Sequence, residues 1–244
     1  MRRLVPEPAE VDPAEQIRSL DLVSLAHDDR PYTVTNFALT VDGRATIAGR
    51  SGPIGGETDT AVLVALRTRV DAVMIGAGTM RAERYGRVVG DPDKRAGRET
   101  EGLSADPLMV IVSDSLELPW EAELFTNGHG QVLILTSSEN DPPDTPTPIE
   151  VERHDHRVDL GAAVERMRRE RGVRALLSEG GPHLHAGLVA ADLVDELFIT
   201  FAPKLEGGTG PGLVEGLPER TRDLELAWLL EDDGELFTRY RYVG

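Results

Sequence analysis

Two glycine-bearing segments stand where a bound anion could be held for chemistry. The first, Gly76-Ala77-Gly78-Thr79, follows the apolar run Ala72 to Ile75, and the second, Ser178-Glu179-Gly180-Gly181-Pro182, follows Ala175 to Leu177. Glycines between a strand and a helix leave backbone N–H groups unpaired and facing outward, a position suited to a phosphate or pyrophosphate. Pro182 suits the first turn of a helix. The residues placed to hold such an anion are Gly76, Ala77, Gly78, Thr79, Ser178, Gly180, Gly181 and Pro182. The usual dinucleotide fingerprint needs a third glycine where this chain has Arg81, so an ordinary Rossmann site is not indicated. A tight connection that needs glycine for its backbone angles is the structural alternative for residues 76–79. Glu179, a carboxylate beside the position suited to an anion, is a candidate for work on a substrate; a surface carboxylate or cap is its alternative.

Charge narrows the remaining candidates. Only Lys94 and Lys204 are lysines, so an anion site must be built from arginine and backbone N–H groups. Arg81, Arg84 and Arg87, just after the first glycine segment, concentrate positive charge, and arginine grips phosphate bidentately. A solvated helix face is the alternative. His154 and His156 form one H-x-H pair and His183 and His185 another, but no third ligand stands at a metal-binding spacing, and no metal site is expected. The chain has no cysteine, hence no disulfide, thiolate nucleophile or Cys-ligated zinc. It also lacks the G-x-S-x-G, P-loop and H-E-x-x-H motifs.

These segments need a scaffold, and the pattern around them supplies one. Strand-like runs lie at Tyr32 to Leu39, Ala72 to Ile75, Leu108 to Val112, Val132 to Leu135, Ala175 to Leu177 and Leu197 to Phe201, with a second short strand through Ala45 and Ile47. Helical spacing recurs in Val62-Leu63-Leu66-Val70, with Arg67 and Arg69 turned to solvent, in Leu160-Ala163-Val164-Met167 and in Leu184-Leu188-Ala191-Val194. The interleaving predicts an α/β fold with a largely parallel sheet flanked by helices. Leu224 to Leu230 and Leu236 to Val243, separated by Asp232-Asp233-Gly234, predict a C-terminal antiparallel hairpin. Residues 1–30 read as an N-terminal extension with one helix, 31–244 as one domain, and Asp91 to Asp106 and Asp141 to Pro148 as loops.

With 43 acidic against 26 basic residues the net charge is −17, which disfavours nucleic acid and anionic membranes as partners. No apolar run reaches a membrane span and the first twenty residues lack a signal-peptide core, so a cytoplasmic location is expected.

In order, Asn36-Phe37-Ala38-Leu39-Thr40-Val41-Asp42-Gly43-Arg44-Ala45, Leu66-Arg67, Asp71-Ala72-Val73-Met74-Ile75-Gly76-Ala77-Gly78-Thr79, Leu177-Ser178-Glu179-Gly180-Gly181, Leu193-Val194-Asp195-Glu196-Leu197 and Ala202-Pro203 to Gly207-Gly208 resemble the reductase domain of bacterial riboflavin biosynthesis. That resemblance implies the dihydrofolate-reductase-like fold and a stand-alone reductase, since the zinc deaminase that often precedes this domain needs cysteines. It implies NADPH in the two glycine turns, a small-molecule substrate, a homodimer with contacts near the C-terminal hairpin, and Glu179 at the active site. The implied reaction converts a ribosylaminopyrimidine phosphate to its ribitylamino product by hydride transfer. Arg44, Arg81 or Arg84 would hold the substrate phosphate, and Glu179 or Asp42 would orient sugar hydroxyls or relay a proton, although Asp42 also reads as the first residue of a turn. Ser113, Thr136, Ser137 and Ser138, at strand ends, are candidates for a 2′-phosphate contact. Arg44 replaces the family's usual lysine, and Arg81-Ala82-Glu83-Arg84-Tyr85-Gly86 replaces its Asp-Asp-Pro segment, which leaves substrate identity open. Reduction of a pterin on the same fold and cofactor binding without catalysis are the alternatives.

Overall fold

Short β-branched and apolar runs, too short for stable helices, collect into one eleven-stranded sheet in the computed structural model, which describes residues 1–243. Its parallel part runs β9 (Glu196–Ala202), β3 (Tyr32–Thr40), β8 (Ala175–Ser178), β4 (Ala72–Gly76), β5 (Leu108–Val112), β6 (Val132–Thr136) and β7 (Ile149–Arg153). Beyond β9 the sheet becomes antiparallel through β11 (Glu235–Tyr242), β10 (Leu224–Asp232), β1 (Arg2–Val5) and β2 (Ala9–Glu10). The β10–β11 hairpin closes on Asp233 (φ +47°) and Gly234 (φ +81°), two successive left-handed residues as a two-residue hairpin turn of this twist requires.

Alternate residues of the parallel strands feed two cores. Val73 and Ile75 of β4 pack with Val62, Ala65 and Leu66 of α2 (Glu57–Arg67) and Met80 of α3 (Ala77–Glu83). Ala72 and Met74, pointing the other way, pack with Ala163, Val164 and Met167 of α6 (Leu160–Arg171) and Leu184 and Leu188 of α7 (Pro182–Ala190).

The order of the strands locates the site. From β3 the chain skips one position to β4 and proceeds outward to β7, then returns to insert β8 between β3 and β4 before α7 carries it to β9 on the far side. This reversal opens a crevice beyond the carboxyl ends of β4 and β8, where parallel α/β sheets bind ligands. Asp71 sets the two strands side by side: its carboxylate accepts the Arg174 and Ala175 N–H groups at 2.8 and 3.0 Å.

Several expectations are corrected. Arg67 and Arg69 do not face solvent: Arg67 pairs with Glu179, and Arg69 bonds Leu20 and Glu101. The region 91–106 is not all loop, because Asp91 caps α4 (Pro92–Thr100) and Pro92 starts it. The short strand around Ala45 and Ile47 reduces to one bridge between Ile47 and Arg50. The first thirty residues contain not only helix α1 (Pro13–Arg18) but also β1 and β2, and β1 covers the β10 edge of the terminal hairpin.

Candidate active site

At the ends of β4 and β8 the chain turns from strand into helix with no side chain interposed as a cap. Gly76 ends β4 and is the N-cap of α3, while Gly181 is the N-cap of α7 with Pro182 in its first turn. Two sets of unclaimed helix N–H groups and two positive dipole ends therefore converge. The turns are locked together: Gly76 N–H donates to the Gly180 carbonyl at 2.7 Å, and Glu179 N–H donates to the Met74 carbonyl at 2.9 Å. Gly180 (φ +84°) is joined to Gly181 by a cis peptide, and a Cβ at position 180 would lie 2.9 Å from the Phe37 ring. Only glycine meets both demands.

A cavity of about 660 Å³ opens over these helix starts. Gly76, Ala77, Gly78, Thr79, Gly181 and Pro182 line it together with Glu179, and Asn36, Phe37, Asp59, Leu63 and Tyr85 complete much of its wall. A Cβ on Gly78 would find no atom within 4 Å, so this turn presents bare backbone to open space. That cradle fits the pyrophosphate of a dinucleotide. Ser178 and Gly180 sit beneath it, buried.

Glu179 enters the cavity already engaged. Its Oε1 accepts from Arg67 Nε at 2.7 Å, and its Oε2 accepts from Arg67 Nη2 and from the Tyr85 hydroxyl, each at 2.7 Å. The Glu179 side chain is only 4% exposed and that of Arg67 15%. Burial and the neighbouring Glu179 charge push the Tyr85 hydroxyl well above its ordinary pKa, so it remains a donor. Arg67 and Tyr85 went unrecognised in the sequence because an arginine at the end of an amphipathic helix reads as exposed and one tyrosine in a polar segment carries no period.

Asp59 is the other missed residue. It lies in the first turn of α2, and its Oδ1 is buried without a hydrogen-bond partner. Burial pushes the carboxyl up in pKa, opposed by a hydrogen bond with Thr200. The available signal was its phase: Asp59 stands three and seven residues before Val62 and Leu66, on the face α2 turns inward.

Apart from His183, the other polar residues singled out in the sequence lie outside the cavity lining, and most have local partners. Asp42 accepts from the Thr40 hydroxyl and from Glu206 and Gly207 N–H, bonds that draw its carboxyl down to about 2. Arg44 donates to the Gly208 and Gly210 carbonyls, fastening the same loop. Arg81 reaches the Glu117 carbonyl, Arg84 pairs with Glu121 at the surface, and Arg87 pairs with Asp106. Ser113, Thr136 and Ser138 accept from nearby N–H groups, while the Ser137 hydroxyl donates to Asp114. His183 lines the cavity, whereas His185 is buried with its ring centroid 4.9 Å from that of Phe37.

Comparison with known proteins agrees with this geometry. Residues 31–236 match the family model described as the RibD C-terminal domain. The chain is 32% identical over 184 residues to the 2,5-diamino-6-ribosylamino-4(3H)-pyrimidinone 5′-phosphate reductase of Archaeoglobus fulgidus, covering 73% of this chain and 83% of the relative. A pyrimidine reductase-like protein of Corynebacterium diphtheriae superposes with a TM-score of 0.80 at 24% identity, covering 96% of this chain and all of that one. The Thermotoga maritima diaminohydroxyphosphoribosylaminopyrimidine deaminase/5-amino-6-(5-phosphoribosylamino)uracil reductase superposes with a TM-score of 0.71 at 20% identity, over 88% of this chain and 57% of that one.

Proposed function

Because the chain belongs to the RibD C-terminal domain family, reductases of riboflavin biosynthesis with a dihydrofolate-reductase-like fold, we propose that it is the NADPH-dependent enzyme that reduces a ribosylaminopyrimidine phosphate to its ribitylamino product. The observation that carries this reading is the convergence of two uncapped helix starts on one cavity whose wall holds a clamped carboxylate. When bound, NADPH supplies the hydride. In the ring-opened substrate the C=N carbon gains that hydride and the nitrogen gains a proton, leaving a secondary amine on a ribityl chain.

The chain's own work is alignment. Backbone N–H groups of residues 77–79 and of the first turn of α7 hold the cofactor's pyrophosphate. Arg67 and Tyr85 fix Glu179 in one orientation, from which its free lone pairs accept from the sugar hydroxyls. Asp42, held ionised down to about 2, is no proton donor near neutrality, and with Arg44, Arg81 and Arg84 it is left out of the proposed site. The reading includes a homodimer in the cytoplasm; no helix is long and apolar enough to cross a membrane among the described residues.

The test is NADPH oxidation by the full chain, with ribosylaminopyrimidine phosphate and dihydrofolate supplied separately. Oxidation with the pyrimidine alone is expected. Oxidation with dihydrofolate alone would move the assignment to a pterin reductase, and oxidation with neither would leave a cofactor-binding protein without this activity.

A further inference from the structure

A surface helix ordinarily docks through an apolar stripe, but α4 docks through two arginines. Of its nine residues only Arg95 and Arg98 are not exposed, and their spacing puts them on one face. Among the described residues their hydrogen bonds all go to backbone carbonyls. Arg95 holds those of Val89 and Gly90 at 2.9 and 2.7 Å, and Arg98 those of Ser104, Arg67 and Val70 at 2.9, 2.6 and 2.9 Å.

These carbonyls belong to the backbone that carries the Glu179 clamp. Arg67 is the last residue of α2: its side chain holds Glu179 at 2.7 Å while its carbonyl is held by Arg98. The last carbonyls of a helix have no partner within it, and a cation at that end also meets the negative pole of the dipole. Glu101, which ends α4, adds an ion pair with Arg69. Tyr85, the other arm of the clamp, leads into the segment whose Val88 carbonyl accepts from Arg67 Nη1 at 3.2 Å and whose next two carbonyls are held by Arg95.

Arg98 is 1% exposed. Burial lowers its pKa to about 10, still far above neutrality, so the group stays a cation. A guanidinium buried on carbonyls is a costly way to fasten a surface helix, because the charge must leave water. An aliphatic side chain would bury the same surface without that cost, but it could not hold a carbonyl. What the arginine adds is a fixed position for the backbone of Arg67.

We propose that Arg98 is a positioning residue for the reduction: by fixing the Arg67 carbonyl it fixes the guanidinium that orients Glu179 toward the sugar hydroxyls of the substrate. The inference rests on the reading of the chain as a ribosylaminopyrimidine phosphate reductase with Glu179 in its site, and it adds what holds that carboxylate from outside the cavity. Arg98 is not part of the cavity lining and acts only through Arg67.

The experiment compares the full chain with Arg98→Met, which keeps the stem of the side chain and removes its donors. In proton–nitrogen correlation spectra the Arg67 Nε–H, identified by its loss in Arg67→Lys, reports whether the bond to Glu179 is kept. Steady-state kinetics with NADPH and 2,5-diamino-6-ribosylamino-4(3H)-pyrimidinone 5′-phosphate reports what that bond does. In folded Arg98→Met, checked by circular dichroism, the Arg67 signal should move toward its position in Glu179→Gln. There kcat should fall about tenfold to a hundredfold, the order of effect of a misplaced orienting group. KM for NADPH should hold, because the Gly76–Gly180 bond that sets the cradle does not involve α2. Adding Arg98→Met to Glu179→Gln should lower kcat no further, since both act through one group, whereas a merely structural residue would multiply its loss onto the other. Arg98→Lys keeps a cation but not the fork that spans three carbonyls, and should fall between. An Arg67 signal or a kcat unchanged in folded Arg98→Met, or in Arg98→Lys where Arg98→Met does not fold, overturns the proposal, as does a loss that multiplies with that of Glu179→Gln. An unsubstituted chain that reduces no pyrimidine defeats the reductase reading instead, and the Arg67 signal then decides alone whether Arg98 holds the clamp.

Discussion

Glu179 couples the stability of the site to its shape. A buried carboxylate that accepts three bonds from Arg67 and Tyr85 leaves the guanidinium stranded if its charge is removed. Breaking a buried pair on one side costs about 3–5 kcal/mol, so Glu179→Gln is expected to lower unfolding free energy in urea by that order and to reduce turnover in the folded fraction. Tyr85→Phe deletes one bond to a charged group and should cost less, about 1.5–3 kcal/mol. A urea midpoint unchanged in Glu179→Gln would show that the cluster holds nothing in place. His185 makes a second residue-scale prediction. Burial lowers its pKa from 6.5 to about 4, so between those values the unfolded chain binds the proton and the folded chain does not. Stability therefore falls as pH drops through that window and is regained above it. In urea titrations across this range, His185→Leu should flatten the slope; an identical slope would place the titrating group elsewhere.

At the level of elements, α3 and α7 matter for where they begin. Gly78 is in the first turn of α3 with open space where a Cβ would go, so Gly78→Val should leave the fold intact while its side chain fills the proposed pyrophosphate cradle. Calorimetry should find NADPH binding abolished; wild-type affinity in a folded variant would make the turn structural only. Elements with a clear apolar period were legible in the sequence: α2, α6, α7, the strands leading to both glycine turns, and the terminal hairpin. Helix α4 was not, because it is polar nearly all round and the side chain it buries is a charged one, Arg98. That guanidinium donates to the Arg67 and Val70 carbonyls at 2.6 and 2.9 Å, capping the end of α2 from which Arg67 reaches Glu179. Local pattern carries no trace of such a partnership across 31 residues. The glycine turns were readable because their backbone demands are local, whereas the partners of Asp42, Arg44, Glu179 and Asp59 are set by how distant strands meet.

Across the whole molecule, the first strands close the antiparallel side of the sheet. Arg2 and Arg3 of β1 pair with Glu231 and Leu230 of β10, and Arg2 also forms an ion pair with Glu231. Removing residues 1–11 would bare the β10 edge, an open template for pairing with other chains. The truncated protein should melt at lower temperature and elute with larger species in size-exclusion chromatography; an unchanged Tm and elution would mean that β1 only decorates the sheet. What the whole chain does with its cavity is tested directly by mass spectrometry of one reaction. With 2,5-diamino-6-ribosylamino-4(3H)-pyrimidinone 5′-phosphate and NADPH deuterated at its transferable position, the full chain is expected to yield a ribitylamino product carrying one deuterium on the former C=N carbon. Unchanged substrate, or a reduced product without deuterium at that carbon, would overturn the assignment of the chain as this reductase.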